Sequence, residues 1–348
     1  AFTRAAATAA QARTLAPDVL EAHAETGQAA YWLGAMAYRN KQFPLARRHW
    51  AQYLAASEWL VRAKPDDPRW QLELSYALNN LAMLATTQGN APTAIGFFAR
   101  DIALKRVLVA RTPDNASLRY ELIDSLSGLS LAQENQGLLA PAEQGYREQL
   151  AMLRVLVDKD PDAHAWRRRL AGSLIRTSNL ALARGQLVQA QQDARESLRL
   201  LQPLAALQPD NVAWRRDLAH AYAQAGWVAA LDGHAGDAAQ QLARAQQTMA
   251  ELLQQAQPLP EWQWLDAVIA LRMQAARAPP LAQDFAPIVA RLETLHRAKP
   301  DEVVGISALA QALVWHGEQR AAASDDTGAR TAWQRALAVL GKDAGNSR

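Results

Sequence analysis

The chain has 348 residues, 50% apolar or aromatic and 20% charged, which is enough to bury a sizeable core and too apolar for a disordered chain. Lys and Arg number 37 against 34 Asp and Glu, and a net charge of +3 carries no general attraction for nucleic acid or membrane. Cysteine is absent, which excludes a disulfide framework, a zinc finger and a thiol nucleophile and fits a reducing cytosol or an oxidising periplasm, and no apolar run reaches the roughly 20 residues a membrane-spanning helix needs.

From Pro17 onward the chain is punctuated at constant spacing. Pro-Asp occurs at Pro17, Pro65, Pro113, Pro161 and Pro209, each 48 residues after the last, and again at Pro300-Asp301. Repetition at such a period marks stacked units that cannot bury their apolar faces alone. Residues 1–16 read as the second helix of an incomplete pair, because Phe2 stands where Phe98 stands in a later unit; on this reading the chain begins inside a larger architecture. Units follow near 17–64 and 65–112. In the latter, Trp70, Leu74, Leu78, Leu81 and Ala85 recur at helical spacing and stop at Gly89, and Ala94, Phe98, Ile102 and Leu108 form a second stripe ended by Pro113. The units near 113–160, 161–208 and 209–257 keep these columns, as in Trp70, Leu118, Trp166 and Trp214 or Gly89, Gly137, Gly185 and Gly233. A side-chain oxygen of Asp66 or Asp67, Asp114 or Asn115, Asp162, and Asp210 or Asn211 is placed to cap the helix that follows. The sixth unit, near 258–299, has a short first helix from about Trp262 to Ala276 that ends at Pro279-Pro280, then a full second helix from Phe285 to Pro300. The seventh, near 300–341, restores the register through Leu309, Leu313, Gly317, Ala329 and Trp333, with 342–348 as a tail. Trp262, Trp264, Trp315 and Trp333 fall at core spacing.

Gly89, Ala94, Phe98 and Pro113, Gly137, Ala142, Tyr146 and Pro161, and Leu33-Gly34 with Ala46, Trp50 and Pro65 resemble the tetratricopeptide repeat in a long variant, 48 residues instead of 34. Each helix gains about seven residues, nearly two turns, which rotates its face by only about 20°. The resemblance implies an all-α fold: a single right-handed superhelical solenoid over 1–348, made of antiparallel pairs of helices A and B of about 20 residues in about seven repeats. It further implies that the helix A faces line a concave surface binding a protein or peptide. Its groove offsets fall on Tyr76, Asn79, Met83 and Thr86, then Asp124, Ser127, Leu131 and Glu134, then Ile175, Asn179 and Leu182, then His220, Trp227 and Leu231. Packing between long helices explains such residues equally well. Asn79 and Asn179 suit a clamp on a peptide carboxylate, but no column of Lys or Arg accompanies them. Arrays of this look occur in bacterial membrane-anchored serine/threonine kinases and winged-helix regulators, so the chain is expected to be the sensory or docking region of such a signalling protein, on the periplasmic side. The alternative is a receptor for a small molecule or cell-wall fragment contacted by Tyr76, Trp227 and His220. Open ends of the stack would also allow self-association.

Two basic features stand out. Arg119, Arg167 and Arg215 share one register position, beside Arg168, Arg169 and Arg216; they can grip an acidic partner, or reach the preceding helix end or a neighbouring Trp. Between Arg39 and Lys64, Arg39, Lys41, Arg47, Arg48 and Arg62 oppose only Glu58, interleaved with Phe43, Trp50, Tyr53 and Trp59; this stretch can dock an acidic partner, lie near anionic lipid, or face water. The seven histidines are scattered, no phosphate loop or nucleophile elbow is present, and Asp66-Asp67 and Asp325-Asp326 read as caps, so no catalytic residue, cofactor or metal ligand is assigned. The expected partner is a protein or peptide, with no nucleic acid.

Overall fold

The computed structural model describes Thr8, Gln11, Thr14, Leu15 and residues 18–254, 259–277, 284–300 and 303–345. The expectations placed on Phe2, Pro17, Pro279, Pro280 and Asp301 lie outside the described residues. The fold is all-helical, 86% helix. Fourteen helices are seen among the described residues, α1 Leu20–Arg39, α2 Phe43–Ala63, α3 Pro68–Thr87, α4 Ala91–Arg111, α5 Ala116–Asn135, α6 Leu139–Lys159, α7 His164–Ala183, α8 Leu187–Leu207, α9 Val212–Leu231, α10 Ala235–Leu253, α11 Pro260–Ala275, α12 Ala286–Ala298, α13 Val303–Ala322 and α14 Asp326–Gly345. Odd-numbered helices are the A helices and even-numbered ones the B helices. They group into two compact units, Ala1–Leu156 and Val157–Arg348.

In the first unit, turns of three or four residues send each helix back along its predecessor. A core of Ala30, Ala37, Trp50, Tyr53, Ala77 and Leu81 joins α1, α2 and α3, and one of Ala82, Ala85, Phe98, Ile102, Leu122 and Leu126 joins α3, α4 and α5. Each pair closes by setting a small residue of helix A against a large one of helix B. A Cβ added to Gly34 would lie 2.3 Å from Trp50; one repeat later Ala82 and Phe98 hold these places, both buried. Close-packed interiors leave no slack for that extra atom, so the small column fixes how near the two helices approach.

The second unit repeats the scheme. Gly226 meets Leu242 and Gly317 meets Trp333, each closer than an added Cβ allows. Trp262 and Trp264 are buried at 4% exposure, as their spacing implied, whereas Trp333 is 37% exposed: the pyrrole side of its indole meets Gly317 and its Nε1 donates to the Val314 carbonyl at 3.4 Å. The irregular sixth repeat has a 16-residue α11 and a 13-residue α12, held by Leu271, Phe285, Val289 and Leu292 against Leu309 and Leu313.

Helix ends follow the 48-residue register. The residue two beyond the end of each full helix A takes a left-handed backbone: Gly89, Gly137, Gly185 and Gly233 at φ 70 to 79°, with Lys41 at 58° and Ser324 at 62° in the same register position. Asp67, Asn115 and Asn211 cap α3, α5 and α9 by accepting from backbone N–H groups. Asp162 does not cap α7, contrary to the expectation. The cap position there is Ala163, with no side-chain hydrogen bond, and Asp162 stands one residue early, in register with Asp66 and Asp114.

Candidate functional site

In the first unit the A helices enclose a cavity of about 730 Å3, walled by α1, α3 and α5 with the end of α2. Two of the expected groove residues, Tyr76 and Asn79, line it. Glu73 reaches it from α3 and accepts a 2.5 Å hydrogen bond from the buried Tyr53 hydroxyl; Glu121 reaches it from α5 and accepts from Tyr76 at 3.0 Å. Burial first, and the adjoining carboxylate second, raise both phenols well above their ordinary range, so each keeps its proton and donates. Glu21 and Glu25 add two exposed carboxylates from α1. Arg69 is the one basic residue of the lining, and its guanidinium lies 4.1 Å over the ring of Trp70. Met83, one turn beyond Asn79, is 45% exposed.

The second unit carries a site of opposite polarity. Arg272, on α11, reaches the side-chain oxygen of Asn179 on α7 at 3.5 Å. No carboxylate among the described residues pairs with it, and its Nη1 is shielded from solvent without a hydrogen-bond partner. Burial lowers Arg272 to about 10. His220, on α9, falls to about 4, through burial first and then the charge of Arg272, with Arg216 and Arg176 adding to the effect and Asp217 opposing it. Asp217 is itself held by Arg216 at 2.6 Å and by Arg168. Farther along, Trp227 of α9 packs against Trp315 of α13 at 5.6 Å between ring centres. Two expected groove residues, Asn179 and His220, thus lie near one cation, which comes from a repeat whose register is broken, while Trp227 packs on Trp315.

The remaining candidates are dispersed. Leu131 is half-buried on α5. Arg39 and Arg48 are exposed, Lys41 occupies the left-handed turn position, and Arg47 donates to Gln88 at 2.5 Å. Arg215 pairs with Glu251 of its own repeat, and Arg167 is half-buried on α7. Asp67 and Asp325 are caps, accepting from Arg69 and Gly328 backbone N–H groups. Among the described residues no three His, Cys, Asp or Glu side chains form a group able to hold a metal ion, and no helix is long and apolar enough to cross a membrane.

Sequence reasoning missed Arg272 and the acidic column. Glu25, Glu73 and Glu121 stand 48 residues apart, a series as regular as that of the arginines, and this signal was available in the sequence. Arg272 had no such signal, because Gln224 precedes it by one repeat and the next repeat is out of phase.

No family model and no curated protein matches the sequence. Solved structures match its fold. The apo form of RapI aligns with a TM-score of 0.66 at 8% identity, over 91% of this chain and 98% of that one. Aspartyl phosphate phosphatase F from Bacillus subtilis aligns at 0.61 with 8% identity, over 95% and 73%. The Rap conjugation gene regulator of the plasmid pLS20, in complex with the Phr* peptide, aligns at 0.55 with 10% identity, over 92% and 75%. At these identities the likeness is one of fold: stacked antiparallel helix pairs of the tetratricopeptide type.

Proposed function

We infer that the chain is a non-catalytic scaffold that binds a protein or peptide through its helix A faces, and that it serves as the docking or sensory region of a larger signalling protein such as a serine/threonine kinase. The observation that carries the binding reading is Arg272. A desolvated guanidinium without a carboxylate partner costs stability in the free protein, and groups kept in that condition are characteristic of binding sites. A peptide carboxylate, terminal or side-chain, would supply the missing partner in bidentate form, with Asn179 beside it as a neutral donor and acceptor. The likeness in fold to a regulator solved with a bound peptide supports the same reading.

The experiment is selection from a random peptide pool carrying free carboxyl termini, followed by fluorescence anisotropy of the enriched peptides against the protein and its Arg272→Gln variant. Enrichment of carboxylate-bearing peptides that lose at least tenfold in affinity with the variant is the expected result. Enriched peptides that bind the variant equally well would refute the role of Arg272. The host is tested by the coding sequence that flanks this segment; flanks encoding no signalling domain would refute that part.

A further inference from the structure

The first unit holds a second recognition chemistry that owes nothing to Arg272. Four carboxylates, Glu21, Glu25, Glu73 and Glu121, face the 730 Å3 cavity, and none of them pairs with a basic group among the described residues. A solvated acidic face needs no ligand, but two observations separate this site from one. Glu73 and Glu121 are half-buried, sit on neighbouring A helices and both lie close to Tyr76, so two carboxylates converge on one aromatic ring. The second oxygen of Glu121 and the side-chain nitrogen of Asn80, both on the lining, are shielded from solvent and make no hydrogen bond. The cavity therefore leaves an acceptor and a donor unsatisfied, and its volume falls in the range of about 300–1,000 Å3 typical of ligand sites. Its walls are aromatic, with Tyr31, Trp32 and Tyr76 offering ring faces or edges. Trp32 is 39% exposed and meets Tyr31 edge-on. The one cation of the lining is already stacked on Trp70.

We propose that this cavity binds the ammonium or guanidinium side chains of a basic peptide segment, with the Glu25, Glu73 and Glu121 column neutralising the charge and the aromatic rings packing on the aliphatic stem. A cation there gains Coulomb attraction, cation–π contact and the acceptor that Glu121 leaves open. The 48-residue spacing of the column sets the carboxylates on successive A helices, which suits Lys or Arg at intervals along an extended chain better than a single compact ion. The site deepens the peptide-binding reading but stands on different residues, so Arg272→Gln separates the two.

The test is fluorescence anisotropy of the full chain with a labelled, blocked Gly-Lys repeat octapeptide, the matching Gly-Glu octapeptide, and spermidine as competitor, at two salt concentrations. The expected result is binding of the Lys peptide, no binding of the Glu peptide, affinity that falls with salt, and a loss of at least tenfold in Glu73→Gln/Glu121→Gln with none in Arg272→Gln. Trp32→Ala is expected to lose severalfold, and thermal denaturation of each variant guards against a folding artefact. Equal binding by wild type and both variants would overturn the proposal. So would spermidine binding without any binding of the Lys peptide, which would assign the site to a free polyamine.

Discussion

Lys105 places its ammonium 3.1 Å from the Asp101 carboxylate one turn earlier on α4, and both side chains are buried, at 3% and 0% exposure. Ser75 of α3 and Ser125 of α5 complete the group, donating to the two oxygens of Asp101 at 2.5 and 2.6 Å, while Lys105 donates to Ser125 at 2.8 Å. Three repeats later the same positions are Ala219, Ala245, Met249 and Ile269, all at 0% exposure in one apolar cluster. The scaffold thus accommodates either a satisfied polar quartet or an apolar one. Removing one charge leaves the other buried and uncompensated, so Lys105→Met is expected to cost about 3–5 kcal/mol. The variant Ser75→Ala/Asp101→Ala/Lys105→Met/Ser125→Ile is expected to return close to wild-type stability, because it transplants the fifth-repeat solution. Urea denaturation of both variants checks this.

Lys41 holds at φ 58° a left-handed position that glycine holds in four other repeats. A side chain there costs about 1–2 kcal/mol, partly offset by the greater freedom glycine has when unfolded. Lys41→Gly is therefore expected to raise stability by about 0.5–1 kcal/mol, and Gly137→Ala to lower it by about 1 kcal/mol. Nothing stands within 4 Å of a Cβ at Gly137, so the loss would report backbone strain and not crowding. Thermal denaturation measures both.

The start of α7 lacks the side-chain cap that α3, α5 and α9 possess. Ala163→Asn installs the residue found at Asn115 and Asn211, and is expected to stabilise by about 0.5–1 kcal/mol. Asn211→Ala is expected to cost about 1 kcal/mol. Hydrogen exchange at the first-turn amides of α7 and α9 would locate each effect.

His220 sets a pH dependence. Its value falls from an ordinary 6.5 to about 4 in the fold, so between those values the unfolded chain binds the extra proton. Its contribution to stability is complete above pH 6.5 and is lost as pH drops towards 4, with a slope approaching about 1.4 kcal/mol per pH unit. His220→Gln is expected to flatten that part of the profile, read as the difference between the two proteins in chemical denaturation from pH 4 to 8.

The helices were legible because the repeat states each structural choice several times. The column of Trp70, Leu118, Trp166 and Trp214, that of the left-handed glycines and the Pro-Asp series recur in phase, and chance does not align three such series. Asp162 was misread because Pro-Asp marks the turn, while the cap lies one residue on, where this repeat carries Ala163. Tyr76 and Asn79 came from the tetratricopeptide resemblance, whose groove offsets the register carries onto them, and both line the cavity. What their cavity holds was not legible, because Glu25, Glu73 and Glu121 read as ordinary surface acids until the fold sets them around buried phenols. Arg272 was beyond reach for another reason: its role depends on a contact with Asn179, 93 residues away, made from the irregular repeat, where the 48-residue register gives no guide.

On the proposed function, helix A faces hold a peptide and Arg272 of the second unit takes its carboxylate. Hydrogen-exchange mass spectrometry of the full chain, with and without a peptide selected as above, addresses it directly. Protection is predicted on α7, α9 and α11 around Asn179, His220 and Arg272, and is predicted to vanish when the peptide carboxyl terminus is amidated or Arg272 is replaced by Gln. Protection confined to the B helices α8 and α10, with the A helices unchanged, would contradict it.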